Sequence, residues 1–129
     1  MRSPEQILRE AKTIAVVGAS PDPSRTSNRV MHYLQGAGFR CIPVNPNAAE
    51  VLGERCYPSL RDVPEPVDFV DVFRRAEYCT AVAEDAVAIG TRALWLQLGI
   101  RNAEARRIAE AAGLDYVEDA CTLVVHRRL

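Results

Sequence analysis

The sequence is almost without lysine. Of its 16 basic residues, fifteen are arginines and Lys12 is the only lysine. Any chemistry that needs a lysine amine therefore has a single candidate, whereas arginines suited to bidentate contacts with phosphate are abundant. The 17 acidic residues nearly balance the basic ones, and the resulting net charge of −1 is unlike that of a general nucleic-acid binder.

Long apolar segments are also missing. The longest apolar runs are far shorter than the ~20 residues that span a bilayer. The polar segment 1–5 lacks the apolar core of a secretory signal. We therefore expect a cytoplasmic protein without a membrane partner.

Metal-binding spacing is absent as well. The cysteines, at positions 41, 56, 79 and 121, include no Cys-x-x-Cys pair. The two histidines, His32 and His126, have no zinc-like spacing to these cysteines. We therefore predict no metal site, and we expect the thiols to be reduced.

Two glycine-rich signatures of nucleotide-binding proteins are missing. Neither Gly-Lys-Ser nor Gly-Lys-Thr occurs, which excludes a P-loop and the ATP or GTP hydrolysis that depends on it. The Gly-x-Gly-x-x-Gly fingerprint of dinucleotide-binding folds is reduced to Gly18. This reduction argues against typical NAD binding.

The sequence does contain a regular alternation of two patterns along its 129 residues. Short apolar runs, typical of buried strands, are followed by segments of helical periodicity. The runs cover residues 14–17, 41–44, 67–73 and 93–98, with a weaker fifth at 116–117. Their spacing fits strands joined by crossover helices, and the length fits one domain over residues 1–129.

Three segments carry apolar residues at i, i+3, i+4 and i+7, the spacing of one helix face. They begin at Val30, Cys79 and Ala105. Strands and helices in alternation predict a doubly wound α/β fold. Because the strands are solidly apolar, we expect a mostly parallel five-stranded sheet with helices on both faces.

Capping residues support these helices. Asn102 and Gly113 are placed to start and end the last of them, and Gly90 to end the one before. Ahead of the first strand, Ser3-Pro4-Glu5-Gln6 is a capping-box sequence. The proline-rich segment 46–66 lacks periodicity, so we expect a long connection with an extended piece at residues 51–52 and a helical turn near Leu60.

Ligands of such folds bind beyond the carboxyl ends of the strands, so those ends are the candidate sites. The first strand is followed by Gly18-Ala19-Ser20, and a helix is expected to start near Ser27. A tight glycine turn, small neighbours and a helix N-terminus flanked by Arg25 and Arg29 indicate a phosphate cradle. A glycine turn with ordinary caps is the alternative.

The second strand ends in Val44-Asn45-Pro46. NAD-binding folds usually carry an acidic residue at this point to hold the ribose diol. The neutral amide of Asn45 suits an adenosine ribose or base without repelling a 3′-phosphate. A plain Asn-Pro turn explains the same residues equally well.

The third strand carries Asp71 and ends in Val72-Phe73-Arg74. Phe73 offers a ring face and Arg74 a phosphate fork, with burial in the core and exposure to solvent as the respective alternatives. Because Asp71 lies inside an apolar strand, it is expected to have a partner, which an arginine can provide.

The fourth strand ends near the only tryptophan, Trp95, and continues into Gln97 and Gly99. If the strands are neighbours, Gln97 and Gly99 face the same crevice as Gly18. No nucleophile, base and orienting group can be assembled from the sequence. Cys121 and His126 lie five residues apart, a pattern that more often reflects structural or exposed residues than a catalytic pair.

Taken in order, the strand-end motifs resemble one known family. Gly-Ala-Ser at 18–20, Pro-Val-Asn-Pro at 43–46, Val-Phe-Arg at 72–74 and Leu-Trp-Leu-Gln-Leu-Gly at 94–99 are similar to the stand-alone CoA-binding proteins of the YccU-like branch. That family in turn resembles the CoA-binding domain of the succinyl-CoA synthetase alpha subunit. The resemblance covers roughly residues 8–125 and implies a Rossmann-like fold whose crevice holds the ADP part of coenzyme A.

The resemblance also implies a set of cofactor-binding residues. Those after the first strand would meet the pyrophosphate, those after the second would border the adenosine, and those after the third and fourth would line the two walls. They are Gly18, Ala19, Ser20, Arg25, Ser27, Val44, Asn45, Pro46, Val72, Phe73, Arg74, Trp95, Gln97 and Gly99. One position departs from the family, which commonly has Asp-Arg-Cys where this chain has Asp119-Ala120-Cys121, so an arginine that would hold a phosphate or anchor the tail is missing.

We therefore expect a protein that binds coenzyme A or an acyl-CoA, with any catalysis supplied by a partner protein. An NAD(P)-binding oxidoreductase or redox sensor on the same fold is the alternative, and it would need the missing ribose acid or glycine fingerprint. A response-regulator-like signalling domain would need an acidic cluster after the first strand, a phosphoacceptor aspartate ending the third and a lysine ending the fifth. The first strand instead ends in Gly-Ala-Ser, and the only lysine is Lys12.

Overall fold

The computed structural model describes residues 1–129 as seven strands and five α-helices. The strands are β1 (Thr13–Val17), β2 (Arg40–Val44), β3 (Glu50–Val51), β4 (Glu54–Arg55), β5 (Phe69–Val72), β6 (Ala93–Leu96) and β7 (Asp115–Val117). The helices are α1 (Pro4–Glu10), α2 (Thr26–Gly36), α3 (Cys79–Ile89), α4 (Ala103–Ala111) and α5 (Thr122–Arg127).

Five strands form one parallel sheet in the order β2-β1-β5-β6-β7. The remaining two strands, β3 and β4, form a small antiparallel hairpin. After β2 the chain crosses over to the other side of β1, where it forms β5. Strands β6 and β7 then follow outward from β5. The strand order therefore reverses between β1 and β5, which creates the crevice where folds of this type bind ligands. The predicted doubly wound α/β, Rossmann-like fold is confirmed.

The side chains of the sheet alternate between two separate cores. Helices α3 and α4 cover one face with small residues such as Ala83 and Ala109, against strand residues such as Val70 and Leu94. Helices α1, α2 and α5 lie over the other face, where Trp95 belongs. None of the five helices has the length and apolar character that a membrane crossing demands.

The predicted caps are present. The Ser3 hydroxyl accepts a hydrogen bond from the Gln6 backbone, and the Gln6 side chain accepts one from the Ser3 backbone. The Asn102 side chain accepts a hydrogen bond from the backbone N–H of Ala105 at 2.9 Å, and Gly90 ends α3 in the left-handed conformation. These local signals fix helix ends whatever the tertiary packing, so the sequence pattern located them.

The connection over residues 46–66 contains the expected extended piece as strand β3 and the expected helical turn as a 3-10 helix at Leu60–Asp62. It adds the second hairpin strand, β4, which the sequence pattern did not predict. Helix α5 was not predicted either. Its first residues, Thr122-Leu123-Val124-Val125, favour strands by propensity, and Cys121 provides no side-chain cap.

The turn after β1 brings two backbones into close contact. Gly18 has a φ of +86°, and a Cβ atom added there would lie 2.5 Å from the carbonyl oxygen of Phe73. Its N–H donates to the Val44 carbonyl at 2.9 Å. Gly18 thus joins the ends of β1, β2 and β5, and only a residue without a side chain fits.

Asp71 in β5 is completely buried, and its partners differ from the predicted one. No arginine reaches it; one carboxylate oxygen accepts from the amide nitrogen of Gln97, and the other accepts from the Thr122 hydroxyl at 3.1 Å. The same Gln97 nitrogen donates to the Thr122 hydroxyl at 2.9 Å, which closes a triangle of three side chains. The expectation of an Asp71–arginine pair is therefore wrong, because two neutral donors satisfy the carboxylate.

Burial raises the pKa of Asp71 from an ordinary value of 3.8 to about 7, and the hydrogen bonds from Gln97 and Thr122 only partly oppose this rise. Between these two pH values the folded protein keeps a proton that the unfolded chain has lost. Stability must therefore fall as the pH rises from about 4 to about 7 through this group. The loss of stability caused by ionising Asp71 is absent below about pH 4 and complete above about pH 7.

Replacing Asp71 with Asn should remove this pH dependence. We expect the stability of Asp71→Asn relative to wild type to increase by a few kcal/mol between pH 4 and pH 8, because the amide cannot ionise. Urea unfolding at several pH values measures this difference. The exposed Glu84→Gln variant serves as the control, and a pH-independent difference between Asp71→Asn and wild type would contradict the assignment.

Replacing Gly18 with Ala should destabilise the fold by about 2 kcal/mol or more, because a left-handed φ and a backbone clash combine. Gly113→Ala is the matched control, since Gly113 has a φ of +81° and no atom within 4 Å of an added Cβ. Urea unfolding gives the loss in the free energy of unfolding for each variant. Both variants bear the cost of the left-handed φ, so the difference between them measures the clash with the Phe73 carbonyl. Equal losses would show that the Phe73 carbonyl does not constrain this position.

Candidate functional site

A cleft of about 690 Å³ opens at the carboxyl ends of β1, β5 and β6. It lies at the reversal of strand order, where the fold is expected to bind a ligand. Eight of the residues predicted from the sequence line it together: Gly18, Ser20, Arg25, Ser27, Asn45, Phe73, Arg74 and Gln97.

The start of helix α2 forms one side of the cleft. The Ser20 N–H donates to the Ser27 hydroxyl at 3.2 Å, and the Asn28 side chain donates to the Ser20 carbonyl at 2.9 Å. These bonds hold the loop after β1 against the first turn of the helix. Asn28, which is buried, was not singled out from the sequence because an asparagine inside a helix start carries no distinctive pattern.

This helix N-terminus keeps free donors. The residue at the N-cap position, Arg25, makes no side-chain cap, and the N–H groups of Thr26 and Ser27 have no acceptor in the protein. Both residues line the cleft. Free N–H groups at the positive end of a helix dipole favour an anion.

Three arginines contribute positive charge to the cleft: Arg25, Arg74 and Arg75. None of the three forms an ion pair, and no carboxylate lies among the lining residues. The Arg74 guanidinium lies over the Tyr78 ring, 4.7 Å from its centroid. The cleft is therefore locally basic in a chain of nearly neutral charge.

Arg29 does not share this role. Its guanidinium donates to the Ser24 carbonyl at 2.7 Å and to the Thr26 hydroxyl at 3.4 Å, and it is not among the lining residues. The loop contact explains this arginine, whereas Arg75 lines the cleft although the sequence pattern indicated no role for it.

Asn45 holds the turn after β2. Its amide nitrogen donates to the Ala19 carbonyl at 2.8 Å, and its amide oxygen accepts from the Asn47 N–H at 2.9 Å. Both ends of the amide thus bind backbone, so the Asn-Pro turn interpretation describes its geometry. The side chain also ties this turn to the loop after β1, and it still borders the cleft.

The other predicted residues lie outside this cleft. Ala19, Val72 and Trp95 are completely buried. Trp95 packs against Phe69, and its indole N–H donates to the Ala120 carbonyl at 2.9 Å. Its strand register turns it toward α1, α2 and α5, which sequence position alone did not reveal.

Val44 and Pro46 line a second pocket of about 220 Å³. Arg74 borders both this pocket and the main cleft, and Tyr78 and Val82 supply part of the second pocket's wall. A ligand with two bulky parts can therefore place one in each, on either side of the Arg74 side chain.

The β6 end of the cleft has a different character. Leu98, Ile100 and Cys121 line it, and none was predicted as a binding residue. Gln97 also lies here, but its amide nitrogen donates to Asp71 and Thr122. Gly99 lies in the adjoining loop, with its N–H donating to the Asp119 carboxylate at 2.7 Å.

The titratable groups do not assemble into a catalytic set. His126 is hydrogen-bonded to the Tyr33 hydroxyl at 2.8 Å and contacts the Phe39 ring edge-on, so its partner is not Cys121. Burial raises the pKa of Cys41 to about 12 and that of Cys79 to about 11, which makes both weak nucleophiles. No three His, Cys, Asp or Glu side chains converge as a metal site would require.

Comparison with known proteins gives consistent results. The sequence matches the CoA binding domain family over residues 12–127. It is 40% identical to the uncharacterized protein YneT of Bacillus subtilis over 122 residues, which cover 95% of this chain and 90% of YneT. A hypothetical protein from Pyrococcus horikoshii has the same fold, with a TM-score of 0.95 and 40% identity over 99% of this chain and 92% of that one.

A larger relative contains a similar segment. Acetate–CoA ligase [ADP-forming] I of Archaeoglobus fulgidus is 29% identical over 92% of this chain, but the match covers only 19% of that enzyme. The family match extends over most of the chain and includes the loops that build the cleft. This chain therefore belongs to the CoA-binding domain family.

Proposed function

We propose that the cleft binds coenzyme A, and that the chain has no catalytic activity of its own. The observation that carries this proposal is the basic helix N-terminus at the reversal of strand order. There, free N–H groups and three arginines without ion pairs line a cleft that no carboxylate lines. Coenzyme A carries phosphates at two places, which suits such a cleft.

The pyrophosphate would lie at the start of α2. The N–H groups of Thr26 and Ser27 would donate to it, and Arg25 would add charge from the same side. Because Ser20 is small and lines the cleft, the ligand can approach the backbone of this loop without a second glycine. The missing glycine fingerprint is therefore compatible with phosphate binding here.

The adenosine would occupy the second pocket, with Val44 and Pro46 on one side and Tyr78 on the other. Arg74, shared by both pockets, would lie between the adenosine and the pyrophosphate, close enough to either to bind a phosphate oxygen. Phe73 would contribute a ring to the wall of the main cleft. In this arrangement Ala19, Val72, Trp95 and Gly99 act by shaping the backbone rather than by touching the ligand.

The thiol end would then extend toward the ends of β6 and β7, where no nucleophile–base pair is present. Catalysis, where it occurs, would come from a partner protein. The similarity to one-fifth of an acetate–CoA ligase supports this arrangement, since such a domain works there within a longer chain. Four free cysteines, three of them buried, suit the reducing cytoplasm.

Removal of the proposed phosphate ligands should weaken CoA binding. We expect Arg25→Ala or Arg74→Ala to raise the Kd about tenfold or more, because each loses a charge-assisted hydrogen bond. Isothermal titration calorimetry measures the change. Arg107→Ala removes an exposed arginine of α4 and is the matched control; a loss equal to that of the control would refute the assignment.

Coenzyme A should also stabilise the protein more than dinucleotides do. At one hundred times its Kd, CoA should add about 2.7 kcal/mol to the free energy of unfolding and raise the Tm by roughly 10 °C. NAD and NADP at the same concentration should shift the Tm less, because the turn after β2 offers no carboxylate to a ribose diol. A larger shift with NAD or NADP would favour the oxidoreductase alternative instead.

A further inference from the structure

The cleft ends in an unusually exposed apolar side chain. Leu98 is 71% exposed, and among the large hydrophobic residues only the terminal Met1 is more exposed. Ile100 and Cys121 line the cleft beside it. We call these three residues the apolar rim. Leu98 lies two residues after the buried strand β6, and its side chain faces solvent.

The loop that carries Leu98 is held rigidly. Asp119 accepts a hydrogen bond from the Gly99 N–H at 2.7 Å and another from the Arg101 guanidinium at 2.6 Å. Its own N–H donates to the Ile100 carbonyl at 3.1 Å. Asp119 adopts a φ of +55° to do so, a left-handed conformation that aspartate tolerates in turns.

The charged side chains near the apolar rim pair with one another. Arg101 is paired with both Asp119 and Glu118, so its positive charge is already matched by two carboxylates and does not favour an anionic ligand group. The Gln97 amide is turned inward to Asp71 and Thr122. A group that contacts the rim therefore finds apolar surface, and an uncharged apolar group is the one it stabilises.

The apolar rim lies at the opposite end of the cleft from the arginines. The arginines and the helix N-terminus lie at the ends of β1 and β5, whereas the rim lies beyond β6 and β7. A coenzyme A molecule with its phosphates at the basic end would direct its thiol toward the rim. The rim would then contact whatever the sulfur carries.

We propose that the apolar rim binds the acyl group of an acyl-CoA thioester, and that the preferred acyl group is short, uncharged and apolar. This inference rests on the proposed function, and it selects an acyl thioester over free CoA as the physiological ligand. The thioester is held without reaction, because no general base reaches this end of the cleft.

Calorimetric titration with CoA, acetyl-CoA, butanoyl-CoA and succinyl-CoA tests the proposal. A fully buried methylene contributes about fourfold in affinity, so butanoyl-CoA should bind roughly fivefold or more tightly than acetyl-CoA if its chain is partly buried. Both should bind more tightly than free CoA. Succinyl-CoA, with a carboxylate on the chain, should bind more weakly than butanoyl-CoA.

Two variants connect this preference to the rim. Leu98→Ala should reduce the ratio of butanoyl-CoA to acetyl-CoA affinity toward one. Leu129→Ala removes another exposed leucine, outside both pockets, and should keep the wild-type ratio. A preference that survives Leu98→Ala would overturn the assignment to the rim.

The acyl-group inference and the proposed binding of coenzyme A can be refuted separately. If CoA binds but butanoyl-CoA binds no more tightly, the acyl-group inference is refuted and the proposed function stands. If none of the four ligands binds, the proposed function itself is refuted, and the inference fails with it.

Discussion

An aspartate side chain without access to water and without a neighbouring cation lies beneath the cleft. Asp71 is completely buried, and the Gln97 amide and the Thr122 hydroxyl supply the donors that replace its hydration. A buried polar group that loses such donors bears the full cost of desolvation, so the three side chains must keep their relative positions. The triangle joins β5, the end of β6 and the first residue of α5, and it thereby fixes one wall of the cleft.

Charge distribution, rather than net charge, gives the cleft its character. Four arginines elsewhere in the chain form ion pairs with carboxylates, among them Arg40 with Glu65 and Arg61 with Asp85. Exposed pairs of this kind contribute little to stability, but they neutralise the field around them. The unpaired Arg25, Arg74 and Arg75 meet at the point where a helix dipole adds the same sign. A net charge of −1 thus conceals a strongly basic site.

Features with local causes could be predicted from the sequence, whereas features that depend on distant contacts could not. Apolar strand runs, caps such as Asn102 and the glycine turn after β1 depend on neighbouring residues, and they located the sheet, most helices and the basic edge of the cleft. Trp95 turns into the core because its register along β6 decides its face. The partners of Asp71 lie 26 and 51 residues away in the sequence. An acidic residue in an apolar strand therefore suggested a charged partner, whereas two neutral side chains donate to it in the structure. The Asp119 carboxylate holds the loop of the apolar rim, which lies 20 residues earlier in the chain. No sequence motif predicts that contact.

The loop after β1 is built around one glycine, where dinucleotide-binding folds have a glycine-rich fingerprint. The close approach of backbones occurs at Gly18 alone, where the Phe73 carbonyl leaves no space for a side chain. Beyond it, hydrogen bonds from Ser20 to Ser27 and from Asn28 to Ser20 position the helix start. Polar side chains thus do the positioning, and the helix N–H groups remain free for a ligand. The turn after β2 is held in the same manner by an asparagine amide committed to backbone, so a ribose diol finds no acceptor of the kind that dinucleotide-binding folds provide.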